Sequence, residues 1–214
     1  MSVVFDNLDA YVEGMTTTIA LTLLSFAAAF TIGMVVAAWR VSPIRPLQWA
    51  GGLYVGLVRN TPLAVLFVVI YFGFPKIGFR YSEFVTAVIV LAAYTGTFVA
   101  ETIRAGINTV AQGQAEAARA LGLSFTQVLT IVVLPQALRT VVAPIGSVFS
   151  ALIRNSSVAY TISVVELTGT ADRLNTESAR PLQVFLGAAV AYMLLTLPTG
   201  LAFGALERRV AIKR

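Results

Sequence analysis

Cysteine and histidine are both absent from this 214-residue chain, and charged residues make up only 12% of it. The first absence excludes disulfides and thiolate metal sites, and the second removes the imidazole that serves most often as general base or metal ligand. Ser156 and Ser157 therefore have no histidine to activate them as nucleophiles. No GxxxxGKS/T loop, HExxH or GxSxG sequence occurs either. The chain thus lacks the usual equipment for nucleotide hydrolysis, zinc proteolysis and serine hydrolysis, and it reads as a protein without an enzymatic reaction of its own.

What is abundant is hydrocarbon. Hydrophobic residues make up 57% of the positions and the mean hydropathy is +0.83, well outside the balance of a soluble domain. The composition specifies an integral membrane protein. An isoelectric point near 9.9 does not point to nucleic acid, because the basic residues stand singly between apolar runs rather than in a stripe. The opening MSVVFDNLDAYVEG has acids but no Lys or Arg, so the positive start of a cleavable signal peptide is missing and the first apolar run is expected to stay as a helix.

A spanning helix needs roughly 20 mostly apolar residues, because every backbone polar group must be paired inside the hydrocarbon. Met15–Trp39 is the first expected span, ended by RVSPIRPLQ. Further spans are expected at Gly51–Phe74, Phe84–Ile103 and Leu182–Leu206. Leu138–Ile153 is apolar but short, about 24 Å if wholly helical, and counts as a fifth span surrounded by protein. The expected fold is all-α, a single polytopic membrane domain over 1–214 with its core at 15–206.

Lysine and arginine set the orientation. Arg40, Arg45, Arg59, Arg104, Arg119, Arg139, Arg208, Arg209, Lys213 and Arg214 fall on one side, which is read as the cytoplasm. The opposite loops hold Lys76, Arg80, Arg173 and Arg180 with most of the acids. Five spans then leave the N-terminus outside and the C-terminus in the cytoplasm. The stretch GQAEAARALG, residues 113–122, falls in the longest cytoplasmic segment, about 105–139.

That stretch is a polar island with its own physics. Gln114 to Leu121 are nearly all helix formers, and Gly122 stands where a left-handed residue would stop the helix. Glu116 and Arg119 are three apart on one face. Ala115, Ala117, Ala118 and Ala120 keep the cylinder thin enough to enter a groove on another protein; a solvated loop helix without a partner is the plain alternative. LGLSFTQVLTIVVLPQALR continues as a second amphipathic helix, which Pro135 is expected to bend or break.

One short echo occurs along the chain. LVRNTPLAV (57–65) and LIRNSSVAY (152–160) each place Arg, Asn and a hydroxyl residue inside apolar sequence. Arginine in hydrocarbon usually faces a bundle interior or an aqueous cavity. Arg59, Asn60 and Thr61, with Arg154, Asn155, Ser156 and Ser157, are therefore candidates for a substrate pathway, where the cations would suit a carboxylate. The alternative is that both arginines pair internally, for instance with Glu101 or Glu166, or bind backbone carbonyls where Pro62 breaks the second helix. Glu101 and Arg104 read as a structural ion pair, Gly33, Gly187 and Gly204 as close helix contacts, and Trp39 and Trp49 as bilayer anchors.

Taken together, EAARALG followed by VVLP resembles the EAA loop of ABC-transporter permease subunits, with Glu116, Ala117, Ala118, Gly122, Leu134 and Pro135 in the matching places. RNTPL, GTFVAETIRAGI, LPQALR and IRNSSVAYTISVVEL are similar to the polar amino acid importer branch, and YTGTFVAET with GINTV resembles the actinobacterial glutamate-type permeases. Asn60 replaces the branch's usual glycine. The resemblance implies a type I importer with two permease subunits, the same or related, two cytoplasmic ATPases and an extracytoplasmic solute-binding protein in a bacterial plasma membrane. ATP and Mg would be used by the partner ATPase, with no cofactor in this chain. The polar island would be its coupling helix, with Gln114, Glu116, Ala117, Ala118, Arg119, Leu121 and Gly122 as contacts to the ATPase. A self-sufficient secondary transporter or channel, and a non-transporting assembly subunit, are the competing readings.

Overall fold

The structure is a computed structural model and describes residues 2–210; Lys213 and Arg214, counted above towards orientation, lie outside the described residues. Regular structure within that range is helical, as expected. A short helix α1 (Ser2–Phe5) leads into α2 (Leu8–Val41), α3 (Arg45–Arg59) and α4 (Leu63–Gly73). A 3₁₀ turn at Phe74–Ile77 precedes α5 (Glu83–Asn108), and α6 (Gln112–Ala120) follows. Then α7 (Phe125–Gln127), a π-helical stretch (Val128–Val133) and α8 (Leu134–Thr140) form one rod that bends into α9 (Val142–Asn155). A 3₁₀ segment (Ser156–Ile162), α10 (Leu167–Ser178) and α11 (Pro181–Val210) complete the described chain.

Among the described residues three helices, α2, α5 and α11, are long and apolar enough to cross a bilayer alone, and counting each of two bent pairs as one span gives five. The expected limits were too tight at both ends of α2 and α5, since helical hydrogen bonding continues past the apolar run. The second expected span needs a larger correction. It is not one helix from Gly51 to Phe74, for α3 stops at Arg59 and the chain turns by 99° into Leu63–Ile77. Pro62 has no N–H to donate and pushes Thr61 out of the helical region. Asn60 Nδ2 and Thr61 Oγ1 donate instead to the Gly56 and Leu57 carbonyls, both at 2.8 Å. Arg59 is therefore the last residue of α3 and does not lie inside a straight span.

The short span expected at Leu138–Ile153 is also broken. The bend of 61° falls between Thr140 and Val142, three residues before Pro144, whose ring would collide with the Thr140 carbonyl of a continuous helix. Pro135, expected to bend or break the rod, does not break it, for helical structure continues from Val128 to Thr140. The π-helical turn just before it closes with a Leu134 N–H to Leu129 carbonyl bond, and this wider register moves the carbonyl that the proline ring would otherwise meet.

At the centre lies α5, more deeply buried (56% of its apolar window) than α2 (33%) or α11 (17%). Leu21, Phe67, Val90, Leu91, Leu152, Ala159 and Ile162 make one core, and Ala37, Val99, Ile103, Val141 and Ile145 a second. Small residues let the helices close up. A Cβ on Gly33 would meet the Val99 side chain and lie 3.0 Å from the Ala100 nitrogen, and one on Gly187 would lie 2.8 Å from the Tyr11 hydroxyl. Gly204 has no such neighbour, its nearest being Arg208 at 3.9 Å. The α9–α11 contact rests on Gly146 against Phe203 instead.

Candidate functional site

Helix α6 stands outside the spans and ends as its sequence dictates. Gly122 adopts φ +82°, its N–H donates to the Arg119 carbonyl at 2.9 Å, and the Leu123 N–H donates to the Ala118 carbonyl at 3.2 Å. This is a Schellman stop, and Ala118 and Leu123 belong to the same apolar cluster beneath it. Of the expected contact residues, Ala118 is buried against Val128 and Val133, while Gln114, Glu116, Ala117, Arg119, Leu121 and Gly122 are exposed. Leu121 is 83% exposed, an apolar side chain with nothing over it. Glu116 and Arg119 form no ion pair within 4.0 Å.

The platform under α6 is the rod. Ser124 begins it with a capping box: its Oγ accepts the Gln127 N–H at 3.4 Å, and Gln127 Oε1 accepts the Ser124 N–H at 2.9 Å. The π-helical turn then presents Val128 and Val133 to Ala118. At its far end the rod crosses α5 at Gly106, where a Cβ would meet Val141 and the Ala137 carbonyl. Packing thereby runs without a break from α6 through the rod to the central helix and the bend at Val141.

Both arms of the sequence echo mark the end of an α-helix: α3 stops at Arg59 and α9 at Asn155. The segments that follow pack together, with Leu63 and Phe67 against Ala159 and Ile162. Arg59 places its guanidinium 4.8 Å from the Phe98 ring centroid, a cation–π contact. Neither expected internal pairing forms, because both acids are engaged elsewhere. Glu101 is bound by Arg40 and, at 2.9 Å, by Arg104. Glu166 is fully buried, accepts the Thr168 N–H at 3.0 Å and the Gly169 N–H at 2.9 Å as the cap of α10, and accepts the Tyr192 hydroxyl. Burial pushes its carboxyl above the usual glutamate range, against the pull of those hydrogen bonds.

Arg154 is exposed and lines a groove of about 370 Å³ between α9 and α11, with Ser147, Ser150, Gly200 and Gly204. Ser147, Ser150 and Arg154 are spaced to share one face of α9. Ser156, by contrast, is fully buried and donates to the Ile153 carbonyl at 2.7 Å. Asn155 and Ser157 are half-buried beside it.

Residues 10–212 match the family described as the binding-protein-dependent transport system inner membrane component. The chain belongs to this family. It is 36% identical to the probable glutamine ABC transporter permease protein GlnM of Bacillus subtilis, over 98% of this chain and 97% of that one. Identity to the glutamate transport system permease protein GluC of Corynebacterium glutamicum is 38%, over 92% of each chain. A solved structure described as an amino acid ABC transporter with histidines superposes with a TM-score of 0.88 at 30% identity, covering 96% of both chains. The fold is that of a type I ABC importer permease, and the chain's role is transport through a membrane.

Within this permease, three features went beyond what was expected from sequence. Arg40 joins the Glu101–Arg104 pair across 61 positions, Tyr192 reaches Glu166 across 26, and Ser147 and Ser150 join Arg154 in its groove. The first two are long-range and leave no local pattern. The serine spacing on α9 was a readable signal, obscured by the apolar residues around it.

Proposed function

We propose that this permease carries a polar amino acid, glutamate or a close relative, inward at the expense of ATP hydrolysed by a partner ATPase dimer, with α6 as the coupling helix. A second permease chain, the same or related, completes the membrane part, and an extracytoplasmic solute-binding protein delivers the substrate. The N-terminus lies outside and the segment bearing α6 in the cytoplasm. The observation that carries the reading is α6 itself: a stopped helix outside the spans, anchored by Ala118 and otherwise open to a partner. Seated on a rod that crosses α5 at Gly106, it can pass ATPase closure to the spans as rigid-body movement.

Arg154 supports an acidic substrate. Among the described residues no carboxylate lies within 4.0 Å of it, and an unpaired cation facing hydrocarbon is costly. Its groove therefore faces water or protein, and a carboxylate there would gain charge-assisted hydrogen bonds. Reconstitution tests the whole reading. The permease alone in liposomes should give no uptake, and adding ATPase, ATP and binding protein should give it; uptake by the permease alone under an ion gradient would overturn the proposal.

A further inference from the structure

At the far end of the broken second span the chain builds a cleft apart from both arms of the sequence echo. The 3₁₀ turn Phe74–Ile77 ends at Gly78, whose φ of +94° reverses the backbone. The Phe79 N–H then donates to the Phe74 carbonyl at 3.1 Å, bringing the two rings to 6.4 Å between centroids. Tyr71 and Phe72 stack edge to face at 4.9 Å on the preceding helix. These rings, with Tyr81, line a cleft of about 520 Å³ whose two charged groups are Lys76 and Arg80. Both cations are exposed, and neither has a carboxylate within 4.0 Å among the described residues. The nearby Glu83 is held by the Tyr71 hydroxyl at 3.0 Å.

We propose that this cleft is a binding site for one anionic phospholipid, with Lys76 and Arg80 on the headgroup phosphate and the rings of Phe74 and Phe79 beside the first part of an acyl chain. Charge and shape both favour that occupant. Two unpaired cations at the end of a span suit a phosphate at headgroup depth, where aromatic rings also collect. Ile77 and Phe79, 68% and 55% exposed, offer apolar surface beside the charges. An acidic protein surface would satisfy the cations but leave the open aromatic cleft unfilled.

The test is native mass spectrometry of the assembled transporter, titrated with phosphatidylglycerol or phosphatidylcholine of identical acyl chains. Wild type should retain one phosphatidylglycerol per permease chain at concentrations where phosphatidylcholine is not retained. The double variant Lys76→Gln/Arg80→Gln should weaken that retention about thirtyfold, while Lys76→Arg/Arg80→Lys should keep it. Phe74→Ala/Phe79→Ala should also weaken retention of phosphatidylglycerol. Equal retention of the two lipids by wild type, or unchanged phosphatidylglycerol in the charge-neutral variant, overturns the site. So does competition by soluble glycerol phosphate or an acidic peptide at the lipid's own concentration, since either shows that charge alone is recognised.

Discussion

Arg59 and Arg154 began as equivalent members of a sequence echo, yet their surroundings separate them. Arg59 is occupied by the Phe98 ring, whereas Arg154 opens onto a groove with two serines. Arg154→Gln should therefore raise the transport constant for an acidic amino acid more than for a neutral one. Flux in proteoliposomes measures this, and equal effects would assign Arg154 to structure. Glu166 carries a pH prediction. Its folded-state carboxyl titrates above the unfolded value because burial dominates. Stability from this group is therefore full below the ordinary glutamate range and lost as pH rises through the raised value. Glu166→Gln, which keeps the cap oxygen, should flatten the pH dependence of the thermal midpoint across that window, as read by scanning the purified complex at stepped pH.

Among the elements, α6 was legible because each of its determinants is local: helix formers, then a glycine at the one place where φ must be positive. Gly122→Asp places a side chain in the left-handed region, at a cost of about 1 kcal/mol or more, and Glu116→Lys reverses an exposed charge. Both variants should insert normally and should lower ATPase co-purification or ATP-coupled uptake severalfold; intact coupling in both would remove α6 from the role of coupling helix. The rod behind α6 was only half legible. Pro135 was a visible breaker, but the π-helical turn that absorbs it depends on the packing of Val128 and Val133 beneath Ala118. The bend went instead to Val141, ahead of Pro144.

For the whole molecule, the decisive contact is α2 on α5, closed at Gly33. Gly33→Leu should cost about 1–3 kcal/mol from overpacking, seen as a lower thermal midpoint of the detergent-solubilised transporter. Gly52→Ala makes a matched control, since a Cβ there meets nothing within 4 Å; an equal loss in both variants would mean that the crossing is not tight. Residue-by-residue hydropathy could not rank α5 above α11 as the central helix. Both are apolar, and only contact with the other helices distinguishes a core span from a peripheral one.

Composition and local pattern by themselves determined that this chain lives in a membrane, roughly where it crosses, and that a short stopped helix interrupts the crossings, because hydrophobic length and glycine stereochemistry act over neighbouring residues. Tertiary structure alone decided which helix is central, how far the broken spans bend, and which arginine faces an open groove. Those outcomes depend on partners many tens of residues away, such as Arg40 with Glu101 and Gly146 with Phe203. Their meeting is fixed by how helices pack, for which the local sequence carries no sign.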